Sequence, residues 1–289
     1  MVKIVVIGAA GQLGQCLNGF ATANSITNIV FAAMQDADIT KPDALDAFFE
    51  RERPEFVINC AAYTAVDKAE DELDLARAIN EVGAANVAGA CKKVGATLIH
   101  ISTDFVFAGD RVKLLQEDDL TAPINTYGKT KLDGEYAIAQ ILNEAFIIRT
   151  SWLYSEYANN FVKTMLKLGS EREELGIIAD QIGSPTYAMD LADAIFGIIH
   201  SGKADYGTYH YSNEGAISWY DFAMAIFQIS NTAVAVKPIP GTAYPTKAKR
   251  PAFSVMDKSK IKSTFNLTIP YWRDSLAKCI ERMNLISNK

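Results

Sequence analysis

The sequence predicts an α/β protein: a doubly wound parallel sheet with a smaller α/β region interleaved toward the C-terminus. Three observations carry that prediction. Apolar, β-branched runs alternate with amphipathic helical patterns through the first 150 residues. A glycine-rich turn follows the first run directly. Polar residues suited to chemistry recur just after successive runs, where open parallel sheets bind ligands.

Residues 2–7, VKIVVI, read as a buried parallel strand. Gly8, Gly11 and Gly14 come next, and a helical pattern starts near Gln12 and Leu13. Strand, glycine turn and helix in that order are the context of a dinucleotide site, which makes the sheet Rossmann-type. Gly8 serves the tight turn, Gly11 the approach of a pyrophosphate, and Gly14 close packing of helix and strand. The unpaired N–H groups of the helix start face the phosphates. Further strands are expected near 28–33, 55–60, 97–102 and 145–150, with helices near 12–23, 43–52, 73–94 and 127–143. Beyond 150 the pattern loosens. Short strands near 175–179 and 207–211 mix with helices near 159–170, 188–200, 218–230 and 272–285. Residues 1–150, with returning segments near 207–230, are expected to bind the dinucleotide. Residues 151–289 are expected mainly to bind substrate.

The 289 residues are 49% hydrophobic and 21% charged, enough to bury a large core without staples. A net charge of −6 argues against a nucleic-acid surface. No stretch approaches the length of a membrane span, and residues 1–20 read as carrying no signal peptide. Cys16, Cys60, Cys91 and Cys279 are scattered, and Cys60 and Cys91 look like core thiols, which fits a reducing cytoplasm. The three histidines show no metal-ligand spacing, so no metal is expected.

Tyr127 and Lys131 lie four apart at the start of a predicted helix and share one face. An ammonium one turn from a phenol favours the phenolate, and it can also hold ribose hydroxyls. Such a pair also occurs on ordinary amphipathic helices. Ser102, Thr103 and Asp104 end the fourth strand, at the ligand-binding edge. A hydroxyl there can hold a substrate carbonyl beside Tyr127, or simply close a turn.

The glycine spacing is GxxGxxG, and together with Ser102-Thr103-Asp104 and Tyr127-x-x-x-Lys131 it resembles the extended short-chain dehydrogenase/reductases. More narrowly, the chain resembles the dTDP-4-dehydrorhamnose reductases. The matching blocks are GAAGQLG, NCAAYTAVDKAE, STDFVFAGD, PINTYGKTKLDGE, RTSWLY, NNFVKTML, ADQIGSPTY and KRPAFS, spread over nearly the whole chain. The resemblance implies NADPH or NADH as cofactor and a sugar nucleotide, dTDP-4-dehydro-L-rhamnose, as substrate. Tyr127 is then the general acid at the sugar O4, Lys131 binds the nicotinamide ribose, and Thr103 orients the C4 carbonyl. Asp104 also contacts the sugar. Gly11, Gln12 and Leu13 line the pyrophosphate, Asp38 and Ile39 flank the adenine end, and Ala62, Tyr63 and Thr64 form the cofactor side of the third strand. Trp152 packs on the substrate, and Arg250 and Asn160 are candidates for its nucleotide. Read without the resemblance, Trp152 also suits plain core, and Arg250 a solvated basic run with Lys247 and Lys249. Asn80 suits either support of Lys131 through water or a helix surface. Homodimers are common in the superfamily, so a homodimer is carried forward.

Position 105 is Phe where the family usually has Tyr, so a hydroxyl contact is lost and ring packing kept. The second strand ends at Ala32–Ala33, with neither a carboxylate to repel a 2′-phosphate nor an arginine to attract one. Cofactor preference is thus open. Two other functions compete. Dehydratases of the superfamily need Glu after Thr-Asp, which Phe105 is not, but an epimerase of the same fold keeps the other features. A regulatory subunit like that of methionine adenosyltransferase binds cofactor without turnover, and the intact Thr103–Tyr127–Lys131 set argues against it.

Overall fold

The strand Ile4–Ile7 (β1) is buried throughout, and its side chains alternate between two cores. In this computed structural model, which describes residues 2–287, Ile4 and Val6 pack with the helices Gln12–Ala23 and Ala188–Ser201. Val5 and Ile7 pack on the other face with Pro42–Glu52, Ala84–Val94 and Thr126–Ile141. An apolar strand covered on both faces is what a doubly wound sheet requires.

Around β1 run Ile29–Ala32 (β2), Phe56–Asn59 (β3), Thr97–Thr103 (β4) and Ala145–Thr150 (β5). The strand Gly207–Tyr211 completes a six-stranded sheet in the order Gly207–Tyr211, β5, β4, β3, β1, β2. Every pairing is parallel; Val5, for example, stands between Val30 and Val57. The chain reverses its winding between β1 and β3, so a crevice opens at their carboxyl ends.

Local chemistry fixes the helix limits. Pro42 opens its helix, and Arg53 closes it at φ 48°. Gly95, at φ 74°, ends Ala84–Val94. Ser218 and Asp221 form a capping box on Trp219–Ser230. The helix expected over 73–94 is broken by a π turn at Ala78–Gly83. That turn carries Asn80 inward, to 1% exposure, so the helix-surface reading of Asn80 fails.

The returning segment expected near 207–230 divides. Its strand enters the main sheet, but the buried residues of Trp219–Ser230 join a third core with Tyr154, Tyr187 and Trp272. Ala188–Ser201 and Ser259–Phe265 are the later helices that pack on the sheet. Glu174–Ile178 is the strand expected near 175–179, and it pairs with Ala235–Ile239, which the sequence pattern missed. Two-residue pairs that it also missed join Leu153–Tyr154 to Thr186–Tyr187 and Ile182–Gly183 to Ile217–Ser218. Two-residue strands carry no period, and Pro238 argues against a strand unless it lies at an edge, as here. Among the described residues no helix is long and apolar enough to cross a membrane.

Candidate active site

A cavity of about 500 Å³ opens at the carboxyl ends of β1, β3, β4 and β5. Gly11, Gln12 and Leu13 line it from the first turn, and Ala62 and Thr64 from the loop after β3. Thr103, Asp104, Tyr127, Lys131, Trp152 and Asn160 complete the set of expected residues that border it.

Gly8 sits at φ 78°, and a Cβ there would lie 2.7 Å from the Ala61 nitrogen. A Cβ at Gly14 would lie 2.5 Å from the Gly8 carbonyl oxygen. Its close approach is therefore to the turn just after β1, and not to the strand itself. No side chain caps Gln12–Ala23, so the first amides of the helix are directed to the cavity. The Gln12 side chain donates to the Leu153 carbonyl at 3.1 Å and accepts from Asn160 at 2.8 Å. Asn160 also caps Phe161–Glu171, so it joins the first turn to the C-terminal half.

On the helix Thr126–Ile141, Tyr127, Lys131 and Glu135 follow at four-residue intervals and form one stripe. Burial pushes the Tyr127 phenol up to about 12; the Asp104 charge adds to the rise and the Thr103 hydroxyl opposes it. The expected lowering by Lys131 is absent, because Lys131 is engaged elsewhere. Its Nζ donates to the Ile101 carbonyl at 2.6 Å and lies 3.2 Å from His100 Nε2. Burial lowers the Lys131 ammonium to about 8, against the pull of Glu135. His100, buried beside that ammonium, is held well below its usual value and stays neutral. Asp104 has a carboxylate oxygen with no partner among the described residues, and burial raises its carboxyl to about 6. Phe105 packs edge-on against Tyr127 with centroids 5.7 Å apart, which keeps the ring contact.

Beneath this layer Glu135 accepts from Ser102 Oγ at 2.5 Å and from Arg149 Nη2 at 2.7 Å. All three side chains are buried. Asn80 bonds the Tyr63 backbone at both its N–H and its carbonyl, at 2.9 and 3.1 Å, and donates to Thr130 at 3.1 Å. The loop after β3 is thereby tied to the residue beside Lys131.

Other expected residues lie outside the cavity lining. Ile39 is core, and Asp38 bonds Thr40 at 3.0 and 2.7 Å. The Tyr63 hydroxyl donates to Glu72 at 2.6 Å. Arg250 forms a bidentate pair with Asp67 at 3.1 and 2.7 Å. Cys60, expected in the core, borders the cavity, and burial pushes its thiol up to about 12. The end of β2 is also corrected. The turn after it brings Asp36 back, and its carboxylate accepts from the Ala33 N–H at 3.0 Å. A three-residue offset hid this carboxylate from a reading that sought it at the strand end. Trp219 was missed as well: it stacks on Trp152 with centroids 3.5 Å apart, and Trp152 itself stands at φ 46°.

A glycine turn at the switch point and a Tyr–Lys pair sharing its cavity define a dinucleotide-dependent oxidoreductase of the short-chain dehydrogenase/reductase type. The model of the RmlD substrate binding domain family matches residues 2–285, and the chain belongs to that family. It is 38% identical to the dTDP-4-dehydrorhamnose reductase of Aggregatibacter actinomycetemcomitans over 96% of this chain and 97% of that one. It is also 38% identical to the Escherichia coli enzyme of that name, over 98% of each. The crystal structure of the dTDP-4-dehydrorhamnose reductase from Bacillus anthracis, in complex with NADP, superposes with a TM-score of 0.93. That protein is 44% identical, and the match covers 98% of this chain and 100% of that one.

Proposed function

We propose that this protein reduces the C4 keto group of dTDP-4-dehydro-L-rhamnose to give dTDP-L-rhamnose, with NADPH or NADH, for rhamnose-containing polysaccharide. The observation that carries it is the meeting, in one cavity, of the first-turn amides with Tyr127, Lys131 and Thr103.

The first turn fits a dinucleotide, since side chains are excluded at Gly8 and Gly14 and the helix start is uncapped. Gly11, Gln12 and Leu13 are the residues to hold the pyrophosphate, and Lys131 the ribose. When bound, NAD(P)H supplies the hydride. Tyr127, still protonated at neutral pH, gives its proton to O4. Thr103 holds the keto oxygen in line with that proton, and Asp104 accepts from the sugar. Trp152 walls the pocket, and Arg250, exchanging its pair with Asp67 for the nucleotide phosphates, offers them the planar fork of donors to which phosphate is suited. The adenine end falls to the segment at Asp38 and Ile39, with Ala62, Tyr63 and Thr64 on the cofactor side. The free thiols support a cytoplasmic setting, and a homodimer is the assembly the superfamily suggests.

The test follows absorbance of NADPH, and separately NADH, with dTDP-4-dehydro-L-rhamnose generated in situ. Stoichiometric loss of reduced cofactor with formation of dTDP-L-rhamnose is expected. Cofactor binding without consumption would refute the reductase.

A further inference from the structure

Asn125 is bonded in two directions. Its Oδ1 accepts from the Gly128 N–H at 2.7 Å and so caps Thr126–Ile141. Its Nδ2 donates to the carbonyl oxygen of Lys249, 124 residues away, at 2.8 Å. An N–H on one side and a carbonyl on the other fix the orientation of the amide. The side chain is buried.

Asp or Ser would cap this helix as well as Asn does. Neither also offers a donor at that reach, whereas the carboxamide carries acceptor and donor together. The second bond is therefore what the choice of asparagine serves. It holds the segment 247–250, which has no helix or strand of its own. Further ties of that segment run to the stretch just after the cofactor-side loop. Asp67 accepts from the Ala248 N–H at 3.0 Å and pairs with Arg250, and Lys247 pairs with Asp71. Asn125 is thus a direct bond from the helix of Tyr127 to the strap that carries Arg250.

We propose that Asn125 is a positioning residue for substrate. It sets the strap, and Arg250 with it, at a fixed place relative to Tyr127, so that the grip on the nucleotide and the proton donor keep one spacing. The substrate part rests on the assignment of Arg250 to the nucleotide phosphates; the attachment of the strap does not.

Two variants of the full chain test this. Asn125→Asp and Asn125→Ser keep an acceptor for Gly128 and remove the donor to Lys249. The first measurement is tryptic cleavage after Lys247 and Lys249, both exposed, with Tm recorded alongside. Cleavage is expected to quicken about fivefold in both variants with Tm within about 3 °C of the parent, since the strap is released and the cap kept. The second is steady-state kinetics. KM for the sugar nucleotide is expected to rise about tenfold, kcat to change less than about twofold, and the Kd for NADPH to hold. Parental cleavage rates in both variants would overturn the attachment. Faster cleavage with an unchanged KM, or a fall confined to kcat, would overturn the positioning role. If the parent protein does not consume the sugar nucleotide, the proposed reaction is what fails, and cleavage still decides the attachment.

Discussion

The ammonium of Lys131 is bonded to the carbonyl oxygen of Ile101, at 2.6 Å, and so is anchored to the strand β4. Its charge is spent there and beside His100, and the phenol one turn away is left to its buried setting. A buried phenol keeps its proton, and reduction of a ketone needs a proton donor.

Tyr127→Phe should therefore slow turnover by about a hundredfold or more while leaving the Kd for NADPH nearly intact. Unchanged turnover would remove Tyr127 from the role of acid.

The same geometry sets a pH dependence. Lys131 titrates near 8 in the folded chain, against 10.5 for an unperturbed lysine. Its ammonium, and the rate that depends on it, should decline as pH rises through 8. Stability should move the other way between pH 8 and 10.5, because there the unfolded chain binds the extra proton. A rate profile flat to pH 10 would contradict this.

Gly11→Val should abolish dinucleotide binding. A Cβ at this position already lies 3.2 Å from the Gly8 carbonyl, and the larger side chain projects where the backbone must meet the pyrophosphate. Titration with NADH, read by fluorescence, checks it; parental affinity would refute the reading of the first turn.

Asp104→Asn exchanges stability for function. The folded chain holds this carboxyl near 6 against an ordinary 3.8, so above pH 6 a buried charge without a cationic partner weighs on the fold. The variant should gain about 2 kcal/mol in urea unfolding at pH 7.5, and the gain should vanish near pH 4, where the native carboxyl is neutral. Equal stability at both pH values would show that burial does not penalise the charge.

Asp36→Ala should move cofactor preference toward NADPH by about tenfold in kcat/KM. A carboxylate at the end of β2 suits a ribose 2′-hydroxyl and repels a 2′-phosphate. The ratio of kcat/KM for NADPH and NADH decides it, and an unchanged ratio would place Asp36 clear of the ribose.

The main sheet and most of the helices against it were legible because most strands are short apolar runs bounded by turns; Ser259–Phe265, a seven-residue helix on the sheet, was not. That the first turn, Thr103, Tyr127 and Lys131 border one cavity was legible because each stands at or just after the end of a strand or one helical turn from its neighbour. What the sequence hid is held by contacts between distant residues. Asp36 reaches β2 only through a turn, Asn80 faces inward only because a π turn rotates it, and Trp219 meets Trp152 across 67 positions. The expected effect of Lys131 on Tyr127 failed for the same reason. Spacing placed the two on one face, but the competing partner, the Ile101 carbonyl, belongs to another element.

The stripe Tyr127, Lys131, Glu135 makes the helix a key with three teeth, of which the last is cut for the interior. A rotation of about 100°, one residue of slip, would withdraw hydroxyl, ammonium and carboxylate together. Of these, the carboxylate is the one whose misplacement the fold cannot tolerate, since Arg149 would be left as a buried, unpaired cation. Glu135 thus acts as an indexing pin: a chain that has folded at all has also aligned its chemistry.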